Sequence, residues 1–90
     1  MGSAQEQVRI DIDTEVPEVA LITLERAEAR NALSRAMLER LRLVCEELAE
    51  DESVRVVVLR GRGRDFSAGV DLRDEELNSM VKADLGRRRR

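Results

Sequence analysis

Apolar and polar residues alternate with period two over Val8-Arg9-Ile10-Asp11-Ile12-Asp13, which predicts a strand with one face buried. Thr14 to Glu18 contains the chain's single proline and reads as a hairpin-like connection. Val19-Ala20-Leu21-Ile22-Thr23-Leu24 is more continuously apolar, the pattern of a more deeply buried strand. Glu25 to Asn31 turns polar and reads as a loop. Ser34 then offers a side-chain oxygen to open a helix over Arg35 to Glu50. Leu38, Leu41, Val44, Cys45 and Leu48 are expected on its inward face, with Glu39, Arg42, Glu46 and Glu50 directed elsewhere. Asp51-Glu52-Ser53 breaks the periodicity. Val54 to Leu59 is apolar, rich in β-branched residues and too short for a helix, so a third, buried strand is expected there. After a Gly61-Arg62-Gly63 turn, weaker helical spacing runs from Leu72 through Leu77, Met80 and Val81 to Leu85. The predicted order is strand, strand, helix, strand, helix, with no internal repeat.

Composition narrows this picture. The apolar residues, 42% of the chain, are nearly all aliphatic, with Phe66 the only aromatic, which suits an α/β layer packing. Ninety residues make one domain. A chain of that size buries only about 60–65% of the surface its unfolded form exposes, so stability is expected to be marginal without a partner or further chain. The formal charge of −3 hides an asymmetry: setting aside Arg87–Arg90 leaves 12 basic against 19 acidic residues, or −7 for the body. That balance is opposite to one that tracks nucleic acid. There is no histidine, which removes Ser-His and Cys-His nucleophilic mechanisms and the commonest zinc ligand. The lone Cys45 permits neither an intramolecular disulfide nor a cysteine metal cluster, and no metal is expected. Its place on the predicted inward helix face implies a buried thiol. Met1-Gly2-Ser3-Ala4-Gln5 shows no secretory pattern, and the longest apolar run is far short of a membrane span, so a cytoplasmic protein without membrane contact is expected.

The segment with most chemical content is Phe66-Ser67-Ala68-Gly69-Val70-Asp71-Leu72. A strand ends, the backbone turns through glycines and a helix begins, a place where free backbone N–H groups face an anion. Glycine at position 69 permits close backbone approach or a φ that other residues resist. Asp71 reads as a residue at a helix N-terminus, and Asp74, Glu75 and Glu76 as an exposed first helical turn rather than an acid–base pair.

With Arg26 and Glu28-Ala29-Arg30-Asn31-Ala32-Leu33 upstream, this segment resembles the N-terminal portion of the crotonase family, the enoyl-CoA hydratases and isomerases. The resemblance runs from about Val8 to Leu77 and includes Val54-Arg55-Val56-Val57-Val58-Leu59 as the family's central strand. Ala27 stands where the family usually has proline. The resemblance implies an α/β fold of crotonase-like β-β-α layers (a ClpP/crotonase-type spiral), incomplete here. It would comprise residues 1–86 as a truncated N-terminal crotonase-like domain and residues 87–90 as a basic, disordered tail.

The resemblance also implies a function. An acyl-CoA thioester gathers negative charge on its carbonyl oxygen as it becomes an enolate, and preorganised N–H groups stabilise that charge. The Val70 N–H would be the first oxyanion donor. Arg26, Arg30, Ala32, Ala68, Gly69 and Asp71 would contact coenzyme A, present as part of the thioester substrate rather than as a separate cofactor. The family's second donor and catalytic glutamates would follow Arg90, so the chain is expected to bind an acyl-CoA in fatty-acid or related metabolism and to turn over little alone. A non-catalytic interaction module, or a defective gene product, stays open as the alternative. It would associate with itself, with full-length relatives or with an acidic partner.

Overall fold

The computed structural model describes residues 3–13 and 15–88. β1 (Val8–Ile12) and β2 (Val19–Leu24) form an antiparallel hairpin in which Ile10 faces Ile22, and β3 (Val56–Gly61) joins β2 in parallel with Leu59 beside Ile22. The strand order is β1-β2-β3. The parallel pairing needs a crossover, supplied by a 3₁₀ turn at Ala27–Ala29 and helix α2 (Arg35–Glu50). In the hairpin loop, Asp13 accepts the N–H groups of Glu15 and Val16 through Oδ1. Thr14, part of the expected hairpin connection, lies outside the described residues.

Helix α2 has the predicted bounds, and Ser34 Oγ accepts the Met37 N–H as its cap. Its inward stripe is turned by about one residue from expectation. Met37 and Val44 are fully buried, with Leu41 and Leu48 packed beside them, against Val8, Ile22 and Leu24 of the sheet. Cys45 falls just off that stripe and is exposed, so the expectation of a buried thiol is corrected. A heptad-like count assigns Leu38 and Cys45 to the face; packing chooses Met37 instead, whose flexible side chain fills the space over β1 and β2.

Two expected elements are displaced. The third strand begins at Val56 rather than Val54, because Val54 closes a turn on the Asp51 carbonyl and Arg55 still bonds to Glu18 in the preceding loop. It is also not buried: Val56, Val57, Val58 and Leu59 are 40–52% exposed. As the edge strand, β3 has a free side, and α2 leaves a groove of about 340 Å³ lined by Cys45, Leu48, Val54 and Val57. The last helix, α3 (Glu75–Arg88), starts three residues later than Leu72. Asp74 stops it from starting earlier by accepting the Leu77 N–H as a cap.

Arg87 and Arg88 are helical in backbone, where a disordered tail was expected, while Arg89 and Arg90 lie outside the described residues. A short α1 (Ala4–Gln7) went unpredicted although its signature is visible. Ser3 Oγ accepts the Glu6 N–H and the Glu6 carboxylate accepts the Ser3 N–H, a reciprocal capping box. No described helix is long and apolar enough to cross a membrane.

Candidate functional site

Two loops leave the C-terminal ends of parallel strands and meet. The first runs from Arg26 to Leu33 after β2, the second from Arg62 to Asp74 after β3. Their junction is a parallel bridge between Leu33 and Val70. Leu33 donates its N–H to the Gly69 carbonyl at 2.8 Å and accepts the Asp71 N–H at 2.9 Å. Because Leu33 uses the carbonyl before Val70 and the N–H after it, the N–H of Val70 itself points to the opposite side. Among the described residues it meets no protein acceptor, and Val70 is 46% exposed. Gly69 takes φ +95°, a conformation open to glycine and resisted by residues with a Cβ.

Asn31 organises both loops. It is fully buried, at φ +56°, and both its amide N–H groups and its amide oxygen are hydrogen-bonded. Nδ2 donates to the carbonyls of Arg62 (2.9 Å) and Asp65 (2.7 Å), while Oδ1 accepts the Arg26 N–H. The Asn31 carbonyl accepts Ser67 Oγ–H, whose oxygen in turn accepts the Gly69 N–H. Arg30 at φ +54° precedes it, so two consecutive residues take the left-handed conformation. Asparagine tolerates that region better than most residues, and its buried bonds hold it there.

Arg26 and Asp71 close the junction from beneath. Arg26 Nη1 donates to Asp71 Oδ2 at 2.9 Å and to the Ala32 carbonyl at 3.0 Å, with both side chains largely buried. The Arg73 N–H bonded to Asp71, and then Arg26, hold the Asp71 carboxyl below the usual carboxylate range, so it stays ionised. Asp74 accepts the Arg35 N–H as well as the Leu77 N–H, serving the N-termini of α2 and α3 together, and both bonds lower its pKa.

The seven residues expected at the site are thus brought to one edge of the sheet, but unequally. Gly69, Val70 and Ala68 are exposed, as is Arg30, whose guanidinium is paired with Asp65. Ala32 is buried, and the Arg26 and Asp71 side chains face each other. Asn31 was not singled out by sequence reasoning. Its signal was an asparagine, a residue that tolerates left-handed backbone, immediately ahead of the apolar Ala32-Leu33 pair and three residues before the Ser34 helix cap. Ser67 was likewise not singled out, and Asp74, read as part of an exposed first helical turn, is instead the half-buried cap that precedes α3. No group of three or more Cys, Asp or Glu side chains among the described residues converges as a metal site.

Comparison with known proteins places the fold in a family. The sequence profile described as enoyl-CoA hydratase/isomerase matches residues 14–88. The chain is 40% identical over 76 residues to a probable peroxisomal enoyl-CoA hydratase of Arabidopsis thaliana, covering 84% of this chain and 28% of the relative. It is 45% identical over 67 residues to the 2,3-dehydroadipyl-CoA hydratase of Escherichia coli, covering 74% of this chain and 24% of the relative. Among solved structures, a probable enoyl-CoA hydratase from Mycobacterium thermoresistibile superposes with a TM-score of 0.72 at 37% identity, over 93% of this chain and 33% of that one. The chain spans about a quarter of the length of these curated relatives. The expected α/β fold is therefore present in part, as a portion of a crotonase fold. This chain belongs to the enoyl-CoA hydratase/isomerase family.

Proposed function

We propose that this chain carries an acyl-CoA thioester half-site in which the Val70 N–H is the first oxyanion donor. The observation that carries the reading is the Leu33–Val70 bridge: it fixes the peptide groups on both sides of Val70 and turns the Val70 N–H outward beside a glycine that leaves room for a ligand. A donor held in place before the charge develops costs no reorganisation, and one such donor contributes on the order of 3–4 kcal/mol of transition-state stabilisation. In this reading the thioester lies over Gly69 and Val70, with Ala32 and Ala68 along the pantetheine arm. Exposed Arg30 lies nearer the nucleotide. Arg26 and Asp71 belong to the bracing of the site.

Little turnover is expected from the chain alone. Asp65, Asp71 and Asp74 flank Val70 in sequence, and each already accepts a hydrogen bond from an arginine or a backbone N–H. Asp71 and Asp74 are held ionised and would be poor proton donors near neutral pH. The test is titration of the labelled chain with a non-hydrolysable acyl-CoA analogue while following backbone amide shifts. The reading expects changes centred on Ala68 to Asp71 and on Arg30 to Leu33, and weakened binding in Gly69→Val. Changes confined to Leu85 through Arg88 would instead indicate a nonspecific phosphate contact and reject it.

A second reading, a module that associates with another chain, is favoured by one observation, the exposed apolar run of β3. Acyl-CoA titration separates the two, because association through β3 would leave the Gly69–Val70 amides unmoved by ligand.

A further inference from the structure

We infer that Arg26 is a positioning residue for the Val70 donor, acting through a relay of two hydrogen-bonded peptide groups. The inference rests on the proposal that Val70 receives the acyl oxygen. Arg26 Nη1–H donates to the Ala32 carbonyl at 3.0 Å. The peptide group with that carbonyl carries the Leu33 N–H, which donates to the Gly69 carbonyl at 2.8 Å. That second peptide group carries the Val70 N–H. A continuous line therefore leads from a largely buried guanidinium, through two peptides, to the N–H that faces outward.

The physics gives the line a direction. When a carbonyl oxygen accepts a hydrogen bond, electron density moves toward it and the N–H at the other end of the same peptide becomes a stronger donor. Here the first donor is a cation, so the first bond is charge-assisted. Its side chain is 17% exposed, which limits screening by solvent. Asp71 Oδ2, 2.9 Å from the same Nη1, opposes part of the positive charge but fixes where the guanidinium lies. The effect therefore passes through an aimed N–H dipole rather than through net charge. The Asp71 N–H, bonded to the Leu33 carbonyl, restrains the peptide group on the far side of Val70. Arg26, which the family resemblance implied would contact coenzyme A, is thereby assigned a positioning role on the acyl-oxygen side of the site.

The relay is tested in the full chain by ¹H–¹⁵N spectra without ligand, reading the Val70 amide in Arg26→Gln, Arg26→Lys and Arg42→Gln. A semisynthetic chain, joined at Cys45, replaces the Leu33 N–H with an ester oxygen and cuts the relay without altering a side chain. The expected result is an upfield Val70 amide proton in Arg26→Gln and in the ester chain, partial recovery in Arg26→Lys, and no change in Arg42→Gln. If Arg26→Gln does not fold, the lysine variant and the ester chain decide.

With butyryl-CoA labelled at the thioester carbonyl, the parent should lower the carbonyl stretch on binding, and the relay variants should lose part of that lowering together with up to about tenfold in affinity. A Val70 amide unmoved by the ester would overturn the relay. A parent that leaves the carbonyl stretch unchanged would instead overturn the acyl-CoA reading, while the ligand-free spectra still decide the relay.

Discussion

Asn31 Nδ2 donates to the carbonyl of Asp65 at 2.7 Å across 34 residues of chain. This bond, with its companion to Arg62, ties the loop after β2 to the loop after β3 at a position that is fully buried. A buried amide with its donors and acceptor all matched specifies one arrangement of the two loops, since any other would leave polar groups unpaired in the interior.

Replacing Asn31 by alanine should therefore destabilise the fold by roughly 2–3 kcal/mol, because the Arg62 and Asp65 carbonyls and the Arg26 N–H all lose a partner. Asn31→Gly separates this from backbone strain: glycine accepts φ +56° freely, so it should recover only the smaller conformational part. Urea denaturation of the three chains checks the order. Equal stability of Asn31→Gly and the parent would assign the residue's importance to its φ alone.

The frame of the molecule was legible in the sequence where local signals and burial agree. β2 and α2 have the expected bounds because a continuous apolar run and a capped amphipathic segment each specify their own ends. β3 was placed two residues early, since Val54 and Arg55 look like strand but are spent on the turn that enters it. The meeting of the two loops was suggested by their places after strands. The device that joins them was not. Asn31, Ser67 and Asp74 act on backbone groups 31 to 39 residues distant in sequence, and no local periodicity carries that information. Ion pairs divide the same way. Arg42 with Glu39 and Glu46 follows from helical spacing, whereas Arg26 with Asp71 requires the tertiary fold.

Acid should loosen the helix–helix corner first. Asp71 and Asp74 both have folded-state pKa values below the ordinary 3.8, so the folded chain binds fewer protons than the unfolded one. Their stabilisation is complete above 3.8 and is lost as pH falls through the lowered values. Melting temperature should drop more steeply below pH 3.8 in the parent than in Asp74→Asn, which has no proton to gain. Asp74→Asn should also melt lower near neutral pH, because the charge that faces both helix N-termini is gone. Parallel acid profiles for the two chains would remove Asp74 from this account.

The exposed β3 makes the chain prone to self-association. Val56 to Leu59 present apolar side chains on both faces of a strand whose outer edge is free, without a proline or charge inside the run. Sedimentation equilibrium should give an average mass above the monomer that rises with concentration. Val58→Lys, which places a charge on the edge strand, should bring the mass toward the monomer without altering the Leu33–Val70 junction. A concentration-independent monomer with a sharp unfolding transition would show that the strand is tolerated bare.

Gly61, which ends β3, and Gly69 of the second loop should respond to alanine for different reasons. A Cβ on Gly61 would lie 2.2 Å from the Phe66 carbonyl oxygen and 2.6 Å from that of Asp65, both backbone atoms that cannot swing aside. The Asp65 carbonyl is also one of the two held by Asn31, so relief of the clash must break that bond. Gly61→Ala should cost about 3 kcal/mol or more and displace the whole loop. A Cβ on Gly69 would meet nothing within 4 Å, and its difficulty is confined to φ +95°. Gly69→Ala should cost only about 1–2 kcal/mol, the usual strain of a non-glycine residue there. The two variants should part again with ligand. Gly69→Ala keeps the loop fold but crowds the surface beside the Val70 N–H, so acyl-CoA binding should weaken more than stability does. Denaturation and acyl-CoA titration on both variants check this, and a Gly61→Ala chain as stable as the parent would contradict the close approach that ends β3.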